Sequence, residues 1–313
     1  MLGKTAGGLL WMFRYLERAE NLARLVDTGQ RIALTRPDRE GQEWRSVLQT
    51  AATLDAFLAH HDAVDGDAVV DWLLRGRENP GSVLASTEAA RTNARVVRTA
   101  LTREVWEAVN EAWMTIRDAL GRRVATRDLP AVLQLVRQRS AFVRGTLHGT
   151  MLRDDAYDFA RLGTFLERAD ATARLLDVKY YVPLPSAAGV GSRLDNAQWE
   201  VILRGVSAES AFRTAYGRSH SASDIAAFLI LDGRMPRSLA FCYQKVGGNL
   251  GYLERNYGIR QPSQDMSDAI CRRLERATVA TIFEEGLHGF LQDFMARNAA
   301  LAARIEVDYR FSA

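Results

Sequence analysis

Residues 15–27 read YLERAENLARLVD, and residues 165–177 read FLERADATARLLD. Most of what recurs is charged: Glu17 with Glu167, Arg18 with Arg168, Glu20 with Asp170, Arg24 with Arg174, and Asp27 with Asp177. Two helices related only by a shared core role would keep their apolar letters and let the charged ones drift. On a wheel of 100° per residue, Leu9, Met12, Leu16, Ala19, Ala23 and Val26 form one apolar stripe whose small residues permit close helix packing. Glu17, Glu20, Arg24 and Asp27 fall on the neighbouring arc, and Arg14, Arg18 and Asn21 continue round from Glu17. The second stretch puts Glu167, Asp170, Arg174 and Asp177 at the equivalent angles, with Thr164 and Ala171 where the first has Arg14 and Asn21.

The repetition extends outward. After the first stretch come Trp44, the run VVDWLLRGRENPGSV with Pro80 and Ser82, and Asn93; after the second come Trp199, IAAFLILDGRMPRSL with Pro236 and Ser238, and Asn249. The two series stay in register with few insertions, a spacing far longer than a solenoid period. Helical periodicity dominates, and alternating Val, Ile and Thr runs bounded by turn residues are missing. The expectation is an all-α fold: a helical bundle of about ten helices in one domain over residues 1–313, built from duplicated halves at 1–154 and 155–313. The prolines mark joints at Pro37, Pro80, Pro130, Pro236 and Pro262, and Pro183 to Ser192 is the most linker-like stretch. Ser82 and Ser238 are expected in the first turn of helices that begin after proline.

With 47% hydrophobic and 25% charged residues, the composition is that of an ordinary globular protein. A net charge of +3, spread along helices, gives no basic face for nucleic acid, and the aromatic residues form no stacking platform. Cys242 and Cys271 make neither a disulfide framework nor a CxxC pair, which fits a reducing compartment. Residues 9–13 are apolar but soon meet Arg14, Glu17 and Arg18, so no signal peptide is expected, and no run is long enough to cross a bilayer. The expected location is the cytoplasm. EEGLH at 284–288 carries one Glu-x-x-His spacing, whereas a di-iron bundle needs two such pairs and two further glutamates, and His60, His61, His148 and His220 supply none. No metal and no cofactor are expected. GKT at residues 3–5 lacks the upstream glycine of a phosphate loop. Ser219, His220 and Ser221 read as a polar turn, and His148, Arg153 and Asp154 as a helix junction.

The repeated charges admit two uses. As i,i+4 pairs on solvated faces they would contribute only about 0.2–0.5 kcal/mol each. Packed about a pseudo-twofold axis, Glu17 would meet Arg168 and Arg18 would meet Glu167, a buried network that fixes geometry more than it adds stability. Alternatively the face is a polar groove whose guanidiniums take a carboxylate or phosphate from a ligand or partner. The candidate residues for either use are Arg14, Glu17, Arg18, Glu20, Asn21, Arg24, Glu167, Arg168, Asp170 and Arg174.

RYLERAENLARLVD near the start, NPGSV followed by NARVVR and VWEAVNEAW, and GTMLRDDAYDFARLGTFLERADATARLLDVKYY together resemble the alpha-E family, helical proteins with a Glu-Arg motif. The resemblance covers essentially the whole chain. It implies association with a circularly permuted ATP-grasp protein, which would form amide bonds through an acyl-phosphate, and with transglutaminase-like and proteasome-like peptidases. It carries over no reaction; Glu17, Arg18, Glu20, Asn21, Arg24, Glu167, Arg168, Asp170 and Arg174 transfer as characteristic positions only. The leading expectation is an accessory partner of that ligase, presenting a charged Glu/Arg groove. The rival is an acyl or amide transferase using Glu17 or Glu167 as general base beside an oxyanion-stabilising Arg. A homodimer through the duplicated faces is the third.

Overall fold

Two long helices lie side by side along the middle of the structure, a computed structural model that describes residues 1–35, 40–181, 193–217 and 221–311. They belong to fifteen α-helices among the described residues: α1 (Gly3–Thr35), α2 (Glu40–Thr50), α3 (Leu54–Leu58), α4 (Gly66–Arg75), α5 (Val83–Val96), α6 (Arg103–Ala119), α7 (Leu129–Thr150), α8 (Asp155–Tyr181), α9 (Arg193–Gly205), α10 (Glu209–Tyr216), α11 (Ala222–Leu231), α12 (Leu239–Tyr257), α13 (Pro262–Arg276), α14 (Val279–Glu285) and α15 (Leu287–Asp308). No strand occurs among those residues.

The central pair is α1 and α8. Leu9, Met12, Leu16, Ala19, Ala23 and Val26 of α1 are all buried, as the helical period requires, and Phe159, Leu162, Leu166, Ala169, Ala173 and Leu176 of α8 are buried in the same way. At Gly163 an added Cβ would stand 2.1 Å from the Leu10 carbonyl oxygen, so the α8 backbone rests directly on that of α1. That close approach sets the charged arcs of the two helices within reach of each other.

Helix α5 runs along α1 and α12 along α8, while α7 packs on α1 and α6, and α15 packs on α8 and α13. Helices α2 and α9 each touch both central helices. One continuous apolar cluster passes through all of these contacts. Ser82 starts α5 by accepting the Ala85 N–H at 3.2 Å, and Ser238 starts α12 by accepting the Phe241 N–H at 3.0 Å. Both are therefore N-caps, outside the first turn where the sequence had suggested them, because the chain after Pro80 and Pro236 spends one more residue turning before the helix begins. Asn93 and Asn249 each donate to the carbonyl four residues back, those of Ala89 and Lys245.

Fifteen helices in place of about ten is a correction with a physical origin. The extra joints carry no proline: α3 ends after Leu58, and α10 and α14 end at Gly217 and Gly286, whose φ values of 79° and 91° suit glycine. The Glu-x-x-His spacing is broken at that last joint, since Glu285 closes α14 and His288 belongs to α15. The proposed joint at Pro37, the linker from Pro183 to Ser192, and Ser219 and His220 lie outside the described residues. Ser221 caps α11 through the Asp224 N–H at 3.0 Å. His148, Arg153 and Asp154 do form the α7–α8 junction: Arg153 donates to the carbonyls of Met151 and His148, and Asp154 accepts from the N–H groups of Ala156 and Tyr157.

Candidate functional site

Positions 14, 17, 18, 20, 21 and 24 share one side of α1, and 167, 168, 170 and 174 share the facing side of α8. Where the helices meet, the charges pair crosswise. Arg168 places both arms of its fork on Glu17, with Nε 2.9 Å from Oε1 and Nη2 3.0 Å from Oε2. In the reciprocal contact, Arg18 Nε lies 2.6 Å from Glu167 Oε1 and Nη2 lies 3.1 Å from Oε2; Arg14 Nε adds a bond to Oε2 at 2.9 Å. Glu20 holds Arg24 Nη2 at 2.8 Å, and Arg24 reaches on to the Gly205 carbonyl at 3.1 Å and the Ser207 hydroxyl at 2.8 Å.

Two further arginines complete the network. Arg144 of α7 donates to Glu17 Oε2 at 3.1 Å and also to Glu20 Oε2. Arg237, in the turn before α12, donates to Glu17 Oε1 at 3.2 Å, to Asn21 Oδ1 at 2.8 Å and to Glu20 Oε1. Neither is marked by the repeated stretches. Arg237 stands in MPRS, where Gly81 occupies the matching place in NPGS, and that difference was its one sequence signal; Arg144 has none. Asp170 and Arg174 pair with each other at 2.6 Å.

Burial would raise the pKa of Glu17, which is 1% exposed, but the guanidiniums of Arg168, Arg144 and Arg237 outweigh it and hold the carboxyl ionised well below the usual range. Glu20 is raised by burial and by Glu17, then carried below its usual value by Arg237, Arg144 and Arg24. In Glu167, burial yields to Arg18 and Arg14 with the same result. Arg237 goes the other way: enclosure, with Arg168 and Arg24 close by, brings it down to about 10 against the pull of Glu17 and Glu20. Burial is the main load on this cation, and the local count of charges adds to it. Six guanidiniums, those of Arg14, Arg18, Arg24, Arg144, Arg168 and Arg237, share three carboxylates, those of Glu17, Glu20 and Glu167. That excess of three positive charges equals the formal net charge of the whole chain, +3.

Beside the network is a cavity of about 250 Å³. Its polar lining includes Arg18, Asn21, Arg24, Glu167, Asp170, Arg174 and Arg237, and Leu22, Leu25, Leu73, Leu175 and Val206 are among its apolar lining. Asn21 Nδ2 is buried there without a hydrogen-bond partner among the described residues, although its Oδ1 accepts from Arg237. A buried donor of this kind calls for an acceptor. Ala52, on the cavity wall, has φ 53°, and Ser207, which holds Arg24, has φ 55°. Left-handed backbone at non-glycine residues is costly and gathers at binding sites. No cysteine, serine or histidine lines this cavity among the described residues.

The remaining matched letters diverge. Asp27 meets Arg31 at 3.3 Å and Arg137 at 3.4 Å, whereas Asp177 meets His288 Nδ1 at 2.6 Å and Gln292 at 2.8 Å. His288 is thus turned towards Asp177 and stacks on Tyr180, with ring centroids 3.7 Å apart. Among the described residues no group of three or more His, Cys, Asp or Glu side chains is placed to hold a metal ion, and no helix is long and apolar enough to cross a membrane.

Compared with known proteins, residues 1–309 match the family described as alpha-E, a predicted alpha-helical domain with a conserved ER motif. The chain belongs to the alpha-E family. Of the chain's Glu-Arg dipeptides, Glu17–Arg18 and Glu167–Arg168 are locked against each other. Similar proteins are the uncharacterized protein Mb2597 of Mycobacterium bovis and the uncharacterized proteins MT2643 and Rv2567 of Mycobacterium tuberculosis; each is 24% identical over 314 residues, covering 94% of this chain and 35% of the relative. The chain therefore spans about a third of the length of these relatives. No solved structure matches it.

Proposed function

We propose that this alpha-E chain is a non-catalytic partner of a circularly permuted ATP-grasp amide-bond ligase, and that it binds the anionic end of a peptide or acyl substrate in the cavity between α1 and α8. The observation that carries the reading is the excess of guanidinium beside a cavity with an unpaired amide donor. A carboxylate or phosphate entering there would face N–H groups already fixed by Glu17, Glu20 and Glu167. The large unmatched part of the mycobacterial relatives is room for a second, catalytic unit in the same polypeptide.

A transferase using Glu17 as base fits less well. Glu17 does not line the cavity, and three guanidiniums keep it a weak base; the other candidate base, Glu167, does line it, but Arg18 and Arg14 hold its carboxyl below the usual range. Self-association through the motif faces fits less well too, since those faces are spent on each other within one chain. We also read residues 1–154 and 155–313 as products of duplication, supported by the matched serine caps, the matched asparagine bonds, and the packing of α5 on α1 and α12 on α8.

The partnership is tested by mixing the purified chain with a circularly permuted ATP-grasp protein from the same organism and following co-elution with and without nucleotide. A stable complex is expected, and separate elution under both conditions overturns the reading. A peptide ending in a free carboxylate should raise the melting temperature of the chain, and its amidated counterpart should not.

A further inference from the structure

We propose that a second pocket, between α7 and α8, binds a phosphoryl group. It has a volume of about 240 Å³ and shares no lining residue with the cavity described above. Arg144 and His148 of α7 face Arg161 and Arg168 of α8 across it, with Thr164 and Phe165 between, and no aspartate or glutamate lines it. This site stands whether or not the ligase partnership is correct.

The cations here are unevenly used. Arg168 spends its fork on Glu17, leaving Nη1 3.4 Å from the Pro236 carbonyl. Arg144 reaches Glu17 and Glu20 through Nη1 alone, so Nε and Nη2 remain without hydrogen bonds among the described residues. Arg161 makes no ion pair with a carboxylate among those residues, although Asp158, on its other side in a neighbouring cavity, feels its charge. Arg161 lies over the Phe165 ring at 4.8 Å and the Tyr157 ring at 5.6 Å, and its Nη1 has only long contacts, 3.4 Å to His148 Nε2 and 3.5 Å to Tyr157 Oη. Aromatic faces hold a guanidinium in place while leaving its in-plane donors available. Elsewhere in this molecule arginines mostly meet acids, so an unpaired one at the mouth of an acid-free pocket marks a place for an external anion.

His148 reports the field in the pocket. Its Nδ1 is bonded to Tyr157 Oη at 2.7 Å, which leaves Nε2 on the Arg161 side. Burial, and then the guanidiniums of Arg161, Arg153, Arg144 and Arg168, push its pKa down to about 4. An anion among these groups would cancel part of that field and let the imidazole take a proton, whose N–H would then donate to the ligand. A phosphoryl group suits the geometry better than a carboxylate. Donors converge from two helices, and its oxygens accept from several directions, whereas a carboxylate offers two oxygens in one plane.

The test is an NMR titration of the His148 ring protons in the full chain, with inorganic phosphate added at constant ionic strength. Phosphate should raise the His148 pKa by about one pH unit. Arg161→Gln should weaken phosphate binding by about tenfold or more and by itself raise the His148 pKa. Acetate at the same ionic strength should move His148 far less; an equal shift would assign the pocket to carboxylates and overturn the phosphoryl reading. No response of His148 to millimolar phosphate would overturn the site altogether. This arm uses the unmodified chain, so it decides the matter even if Arg161→Gln fails to fold.

Discussion

Glu17→Gln removes one charge and almost no volume from the point where α1 and α8 cross. The residue is 1% exposed and accepts from Arg168, Arg144 and Arg237, so the amide would leave three guanidiniums in a poorly solvated place with Glu20 as their remaining acid. Breaking a buried pair from one side costs about 3–5 kcal/mol, because the partner charge remains desolvated. For a chain of 313 residues that corresponds to a fall in melting temperature of roughly 5–8 °C. Adding Arg168→Met should then cost less than it does in the parent chain, with a coupling of about 2 kcal/mol. The control is Glu107→Gln, which breaks the exposed i,i+4 pair with Arg103 and should leave the stability nearly unchanged. Urea denaturation is the suitable assay, since guanidinium salts would screen the contacts being measured. If Glu17→Gln costs no more than Glu107→Gln, the crossing is not a desolvated network and the positioning role given to Glu17 is wrong. If the melting temperature holds while some amide- or acyl-transfer activity disappears, Glu17 is a base after all.

Glu17, Glu20 and Glu167 all titrate below their ordinary value of 4.5 in the folded chain. The stability they contribute is therefore complete above about pH 4.5 and is lost as pH falls towards their folded values; Glu17→Gln should remove about one proton from the slope of unfolding free energy against pH in that acid range. Gly163→Ala puts a methyl where 2.1 Å separates it from the Leu10 carbonyl, and the helices must part, costing about 3 kcal/mol by urea denaturation; a neutral result would mean that the central pair slides freely. Asp158 is buried, and its pKa is raised to about 7 by burial and then by Asp154. A raised carboxyl costs stability above its folded pKa and none below its unfolded one, so Asp158→Asn should stabilise the chain at about pH 8.5 by about 2 kcal/mol, roughly half the full linkage value because the adjoining cavity admits water. The same substitution should be nearly neutral at about pH 4, and an equal gain at both values would place the effect in packing instead.

The crossing of α1 and α8 was legible because repeated charge is informative: an acid and a guanidinium on each of two helices with matching stripes have few arrangements that leave both paired. The identities of the other partners were not. Asp27 and Asp177 occupy equivalent places, yet one meets two arginines and the other a histidine and a glutamine. A repeat fixes where a charge is presented, and the residue it meets is supplied by whichever neighbouring helix packs there. Arg144 and Arg237 were hidden for that reason, since each comes from an element outside the repeated stretch and has no counterpart to mark it. The helix count fell short for a local reason, because glycine and capping residues end short helices as effectively as proline does.

The sequence presents the charged arc either as an internal network or as a binding groove, and we propose that it serves as both. A network serving rigidity alone gains nothing from unequal numbers, since each unmatched guanidinium adds desolvation and mutual repulsion, and Arg237, brought down to about 10, bears that load. Taken away from this crossing, the remaining charged residues of the chain balance, acid for base. The carboxylates of Glu17, Glu20 and Glu167 hold twice their number of guanidiniums in fixed directions, and the excess stands beside two cavities lined by donors that the protein itself leaves unused. Fixing a cation in advance is what lets it bind an anion without losing side-chain freedom at the moment of binding. Adding an anion to the intact chain should therefore raise its stability where adding a cation of equal valence does not, and the gain should shrink in Arg237→Gln, which removes a guanidinium from the excess at the crossing, and in Arg161→Gln, which removes a cation from the second pocket.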